Sequence, residues 1–188
     1  MLRVIYRAYE RALAKYPFLT QTSSAGVLAA IADVLTQSFV EKCWQNVGFN
    51  PARTIRFSSI ILFWVAPITY RWFLLLEKLK GETKLLPLKR MIIDQSLVAP
   101  LLTFSFITNL RMLEGNSSYE ALEKAKKDIV PVMKTNYQIW PLAQLINFYL
   151  LPLRYRLIFV QFVGLFWNMY LSYVTQIEKK KKKADKIR

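Results

Sequence analysis

The sequence predicts an all-α protein, a polytopic helical bundle built for a membrane. Three observations carry that expectation. First, 54% of the 188 residues are hydrophobic and 14% aromatic, yet the formal net charge is +15; neither a disordered chain nor an ordinary soluble globule pairs these properties. Second, a bilayer core needs about 20 mostly apolar residues per helical span. Five windows meet that need: residues 16–40 carry only Asp33 as a charge, 57–76 only Arg71, 91–110 only Asp94, and 135–153 and 157–177 none. Third, the runs are continuous rather than alternating, which favours helices over the strands of a β-barrel.

Residues 1–16 read as a separate amphipathic surface helix. Arg3, Arg7, Arg11 and Lys15 recur every fourth residue and so form one slowly drifting stripe. Leu2, Ile5, Tyr6, Tyr9, Ala12, Leu13 and Tyr16 supply an apolar surface beside it. Such a helix lies in the headgroup layer, its cations on anionic lipid phosphates; a helix packed on the bundle with solvated arginines is the alternative. The segment is also Arg-rich and nearly acid-free, as organelle-targeting segments are. No cleavable signal peptide is expected, because the first long apolar run begins only near Tyr16 and contains Asp33. Pro17 is placed to start the next helix.

Residues 17–177 read as the transmembrane bundle, with apolar runs near 16–40, 54–76, 91–110, 135–153 and 157–177. Turns are expected at Asn46–Pro51, around Gly48, and at Lys80–Pro87. Residues 111–134 carry charges of both signs. Their second half has helical spacing, and Ser117 or Ser118 is placed as an N-cap, which predicts an amphipathic helix at the surface. Leu150–Arg156 separates the last two runs. Residues 178–188 form a basic tail with seven Lys/Arg against Glu178 and Asp185. Next to a span, such a tail holds anionic headgroups or sets topology, and no direct nucleic-acid binding is expected from it. Lysine and arginine are spread too evenly over the loops for the positive-inside rule to set the orientation.

The composition removes most enzyme classes. With no histidine, Ser–His–Asp triads, histidine proton shuttles and histidine metal ligands are excluded. Cys43 is the only cysteine, which leaves no intrachain disulfide, CxxC pair or cysteine-based zinc site. The five glycines are too scattered for a phosphate-binding loop. No catalytic residue, metal ligand set or cofactor is expected.

Helices in lipid associate through small residues and interhelical hydrogen bonds rather than through a hydrophobic driving force. Thr22, Gly26, Ala30, Asp33 and Gln37 share one face of the first span; Asn136, Trp140, Gln144 and Asn147 share one on the fourth, and Gln161, Gly164, Asn168 and Ser172 one on the fifth. Three polar stripes on apolar helices require a common interior, either a dry hydrogen-bonded seam or a wet passage. An aspartate in mid-span costs about 2.5–3.5 kcal/mol on insertion scales and so meets a partner or water. For Asp33 the candidate partners are Arg56 and Arg71, either of which can instead snorkel. Asp94, nearer the end of its run, can line the interior or cap it at the interface. Pro67, Pro100 and Pro141 each sit inside an apolar run and free the carbonyl four residues earlier, which makes them helix-kink candidates. Two aspartates could also share catalysis as a dyad, the weakest of the readings.

The residues Trp140-Pro141, Gln144, Asn147-Phe148, Pro152 and Arg156, followed by Trp167-Asn168 and Tyr170-Leu171-Ser172, form a specific pattern. Asp94-Gln95 with Ala99-Pro100, Arg53 with Arg56-Phe57, and Tyr16-Pro17 with Gly26, Asp33 and Gln37 extend it upstream, so that it runs from about residue 3 to 175. On these motifs the chain resembles the Mpv-seventeen and peroxisomal-membrane-protein-twenty-two family, its mitochondrial inner-membrane branch above all. It departs from the usual pattern at Ala66 and Ala32, where glycine is common, at Tyr70, where histidine is common, and at Phe73, where tyrosine is common. Any role resting on that histidine cannot operate here.

The resemblance implies four spans, against five apolar runs counted in the sequence. It also implies a mitochondrial inner-membrane location, with the peroxisomal membrane as the alternative. The implied function is that of a weakly selective channel for small solutes, linked to nucleotide pools and mitochondrial-DNA maintenance, membrane potential and reactive-oxygen handling. Asp33, Gln37, Arg71, Asp94, Gln95, Trp140, Gln144, Asn147 and Asn168 are the candidates to line or gate the path, with Pro67, Pro100 and Pro141 shaping it. The lipid bilayer is the expected partner, and a homo-oligomer is compatible with the pattern. The rival reading is a structural module that organises membrane complexes, its stripes being packing seams.

Overall fold

The computed structural model describes residues 2–43, 48–82, 84–151, 159–160 and 162–173. Every regular element among them is helical. The order is α1 (Leu2–Lys15), α2 (Pro17–Leu35), α3 (Pro51–Ile60), α4 (Ala66–Glu77), α5 (Leu86–Ile93), α6 (Ala99–Leu113), α7 (Ser118–Leu150) and α8 (residues 162–173). π-helical turns extend or join them: Thr36–Val40 extends α2, Ile61–Val65 joins α3 to α4, and Asp94–Val98 joins α5 to α6.

The helix starts follow local chemistry. Pro17 and Pro51 occupy the first turns of α2 and α3, where a missing N–H is no loss. The Asn50 side chain caps α3 by accepting from the Arg53 N–H at 3.0 Å. Ser117 caps α7 in a reciprocal box with Glu120. Gly115, at φ +90°, makes the turn from α6 into α7 in a conformation that side-chain-bearing residues rarely adopt.

Three helical stretches are long and apolar enough to cross a membrane: Pro17–Phe39, Pro51–Glu77 and Leu86–Leu113. They coincide with the first three apolar runs. The fourth run is not a separate helix. The surface helix expected over 111–134 and the run at 135–153 join in one 33-residue helix, α7, because no residue between them ends it. Pro131 and Pro141 both lie inside α7. The fifth run is described only over 159–160 and 162–173; Gln161, Pro152, Arg156 and the tail 178–188 lie outside the described residues.

Two of the three kink prolines share one solution. Pro67 and Pro100 each stand in the first turn of a helix that follows a π turn. In those turns Ala66 N–H reaches back five residues to the Ile61 carbonyl, and Ala99 N–H to that of Asp94. Widening the helix just before proline makes room for a ring that would otherwise strike the carbonyl four residues back.

The bundle is inverted relative to a soluble domain. Leu19, Val27, Phe39, Ile55, Phe63, Leu74, Leu97 and Leu101 face outward, whereas Asp33, Gln37, Arg53, Asp94, Gln95, Asn136, Gln144, Asn147 and Ser172 are buried. Lipid explains this distribution, since acyl chains reward outward apolar side chains and penalise bare polar ones. An apolar core remains, with Ala29, Phe57, Ile60, Ile61, Phe106, Ile107, Leu110 and Trp167 packed together. Phe57 and Phe106 meet edge to face at 5.4 Å. Gly26 brings α2 against the continuous α3–α4 helix so closely that an added Cβ would lie 3.0 Å from Leu62 Cβ. Outside the spans, α1 packs on α2, where Ser24 Oγ donates to the Tyr9 hydroxyl at 3.4 Å, and leaves Arg7, Arg11 and Lys15 exposed.

Candidate functional site

The intramembrane polar groups gather in two centres with separate partners. The first surrounds Asp33, which lies on the inner face of α2 and is completely buried. Its cation is Arg53, from the start of α3, with Nε 2.9 Å from Asp33 Oδ1. The sequence-based candidates Arg56 and Arg71 do not fill this role: Arg71 is exposed on α4, and a helix that places Phe57 in the core turns Arg53, four residues earlier, to the same face. Thr54 Oγ1 donates to Asp33 Oδ2 at 2.6 Å, Gln37 Nε2 donates to the same oxygen at 2.8 Å, and Ser172 Oγ of α8 donates to Oδ1. Arg53 also donates to Ser172 Oγ at 2.8 Å and pairs with Glu41 at 2.9 Å. Gln37 returns to α3 by accepting from Asn50 N–H at 2.8 Å. This centre ties α2, α3 and α8 together.

The second centre surrounds Asp94. Asp94 opens the π turn, and both it and its neighbour Gln95 are buried. Trp72 Nε1 donates to Asp94 Oδ1 at 2.8 Å. Gln95 Nε2 and Gln144 Nε2 donate to Oδ2 at 2.8 and 3.4 Å. Asn136 Nδ2 donates to Gln95 Oε1 at 2.9 Å, and Asn147 Nδ2 to Gln144 Oε1 at 3.2 Å. Asp94 is a buried group among α4, α6 and α7. Among the described residues it forms no ion pair. Three N–H donors stand where Asp33 has a cation.

Asp94 lines a half-open cavity of about 220 Å³ among α2, α4, α6, α7 and α8. Gln95, Trp140, Gln144 and Asn168 line it too, as do Trp72, Thr103 and Asn136. Trp140 and Trp167 meet edge to face at 6.1 Å in its wall. The candidate residues thus divide. Asp94, Gln95, Trp140, Gln144 and Asn168 share the cavity; Asn147 supports it through Gln144; Asp33 and Gln37 belong to the separate lock; Arg71 joins neither. Pro67 and Pro100 flank the turns that shape the cavity, and Pro141 stands beside Trp140 in α7.

A third polar cluster had no forecast. Arg111, at the end of α6, pairs with Asp128 of α7 at 2.6 Å and with Glu114 at 3.2 Å, all three side chains being nearly inaccessible. The mixed charges of 111–134 were visible in the sequence, but only the α6–α7 turn folds Asp128 onto Arg111. Arg90 similarly joins α5 to Glu77 at the end of α4, at 2.9 Å. Among the described residues no cluster of His, Cys, Asp and Glu could hold a metal ion.

Residues 111–172 match the model of the Mpv17 / PMP22 family. The rat mitochondrial inner membrane protein Mpv17 is 38% identical over 170 residues, which is 90% of this chain and 96% of its own length. The human protein of that name is 37% identical over the same coverage. The Caenorhabditis elegans one is 37% identical over 174 residues, 92% of this chain and 94% of its own. The chain belongs to the Mpv17 / PMP22 family. This Mpv17-family chain is a mitochondrial inner-membrane protein, and its three long apolar helices suit that location. No solved structure matches it. The family match covers Arg111, Asp128, Asn136, Gln144 and Ser172, so it includes part of each polar centre.

Proposed function

We propose that the chain provides a weakly selective path for small solutes across the mitochondrial inner membrane, through the cavity that Asp94 lines. The observation that carries this reading is an aspartate side chain in a residue only 7% exposed, held by three neutral donors beside a half-open cavity. A purely structural aspartate in lipid is better served by a cation, as Asp33 is by Arg53. In this reading the second half of α7 completes a fourth crossing, and α1 lies among anionic headgroups with the lysine tail as a second lipid contact. The chain acts by itself or as a homo-oligomer, with neither catalysis nor direct nucleic-acid binding. Effects on nucleotide pools, mitochondrial-DNA maintenance, membrane potential and reactive oxygen then follow from the traffic of solutes.

Purified chain in planar bilayers is expected to give discrete conductance steps, changed in amplitude or ion selectivity by Asp94→Asn and unchanged by Arg71→Gln. Silent bilayers with inserted, folded protein overturn the reading. The second reading, a structural module, is favoured by the Asp33 centre, whose bonds are all made within the protein. Thiol labelling separates the two. In a Cys43→Ala background, Thr103→Cys reacts with a water-soluble reagent if the cavity is a wet path and stays inert if it is a sealed seam.

A further inference from the structure

The cavity walls make a more specific statement about what fits inside. Among the described lining residues the only charged side chain is Asp94, and no lysine or arginine faces the space. Against these described walls a solute bearing phosphate or carboxylate would meet the Asp94 carboxyl group and no cation, in a medium where charges are poorly screened. A hard metal ion is also badly served. It needs several oxygen ligands, whereas the Asp94 oxygens already accept from the N–H groups of Trp72, Gln95 and Gln144. Asp94, when ionised, places a negative charge in this wall, and the rings of Tyr70, Trp72, Trp140 and Trp167 line the same space. Aromatic faces attract diffuse cations, and a carboxylate beside them adds long-range attraction.

We propose that this cavity binds a small organic cation, a substituted ammonium whose charge is spread over its alkyl groups. Asp94 provides the counter-charge and the tryptophan faces provide the contact surface. The inference deepens the permeation reading, on which it rests for the biological role of the site. Binding itself is a separate measurement from flux.

Three probes of nearly equal shape test it: choline, its neutral carbon analogue 3,3-dimethyl-1-butanol, and the anion 3,3-dimethylbutyrate. Each is titrated into the purified full chain in detergent micelles while tryptophan fluorescence is followed. Choline is expected to give a saturable change, with the alcohol at least about tenfold weaker and the butyrate without effect. Asp94→Asn is expected to abolish the preference for choline over the alcohol. Trp140→Leu is expected to weaken choline, and Trp140→Phe, which keeps a ring, to retain most of the affinity. Thermal melts report whether each variant is folded, and the three-probe series on the unaltered chain decides the question even if a variant is not. Equal binding of choline and the alcohol, a preference for the butyrate, or an undiminished choline preference in folded Asp94→Asn overturns the inference. Choline binding in a protein that is silent in bilayers would overturn the permeation reading and leave the site. Conductance without a choline preference would do the reverse.

Discussion

Arg53 Nε lies 2.9 Å from Asp33 Oδ1, so the first turn of α3 is charge-paired to the interior face of α2. Both side chains are at least nine-tenths buried, and Ser172 of α8 bonds to both. Breaking a buried pair from one side leaves a naked charge, which costs about 3–5 kcal/mol. Asp33→Asn and Arg53→Met are each expected to lower stability by that order in denaturation followed in micelles. The double variant should be less damaged than the sum of the two. Strict additivity would remove the pair from the account of the fold. Arg53→Lys should fail to rescue, because one ammonium cannot reach Asp33, Glu41 and Ser172 together.

Gly26 lets α2 pack closely on Leu62. Glycine in a helix interior is normally worse than alanine by about 1 kcal/mol, so an unconstrained Gly26→Ala would stabilise. Here the new Cβ would lie 3.0 Å from Leu62 Cβ and 3.2 Å from its Cδ1. The Cβ is fixed by the backbone and cannot swing away. Gly26→Ala is therefore expected to destabilise by about 1–3 kcal/mol, as overpacking does, and Gly26→Val by more. A higher melting temperature for Gly26→Ala would show that the helices are not held at this distance.

Arg111 serves two carboxylates, Glu114 and Asp128. Removing the cation leaves two buried negative groups, whereas removing one acid leaves a pair. Arg111→Met is thus expected to cost about 3–5 kcal/mol and Asp128→Asn distinctly less. Because the cluster joins α6 to α7 at their turn, protease sensitivity between residues 113 and 118 should rise first in Arg111→Met. Equal stabilities for the two variants would count against the shared role.

The start of α7 provides a pH-dependent element. The Ser117 backbone N–H, and next its hydroxyl, hold the Glu120 carboxyl below its ordinary value. A folded-state pKa that is depressed contributes stability above the ordinary glutamate value and loses it as pH falls through the lower folded value. Acidification therefore loosens the capping box. Carboxyl carbon NMR of Glu120 should titrate below a free glutamate, and Ser117→Ala should move it only partway back, since the backbone donor remains. The same substitution should destabilise α7 by about 1 kcal/mol. An unchanged titration would rule out the box.

The spacing of charge along the chain was enough to locate the first three apolar helices and to single out Asp33 and Asp94 as residues needing partners, and the serines at 117 and 118 marked a helix start. Those conclusions depend on composition and period, which a sequence displays directly. Which partner each aspartate takes was not legible. Arg53, Thr54 and Trp72 hold Asp33 and Asp94 because of how far each helix is rotated about its own axis relative to the next. That rotation is set by close contacts such as Gly26 on Leu62 and by the π turns before Pro67 and Pro100, which shift the register of every later side chain. A sequence records the order of residues on one helix; the azimuth between helices exists only after they pack. For the same reason, two aspartates that look alike in the sequence differ in the fold, one paired with arginine and the other, among the described residues, lining a cavity with neutral donors.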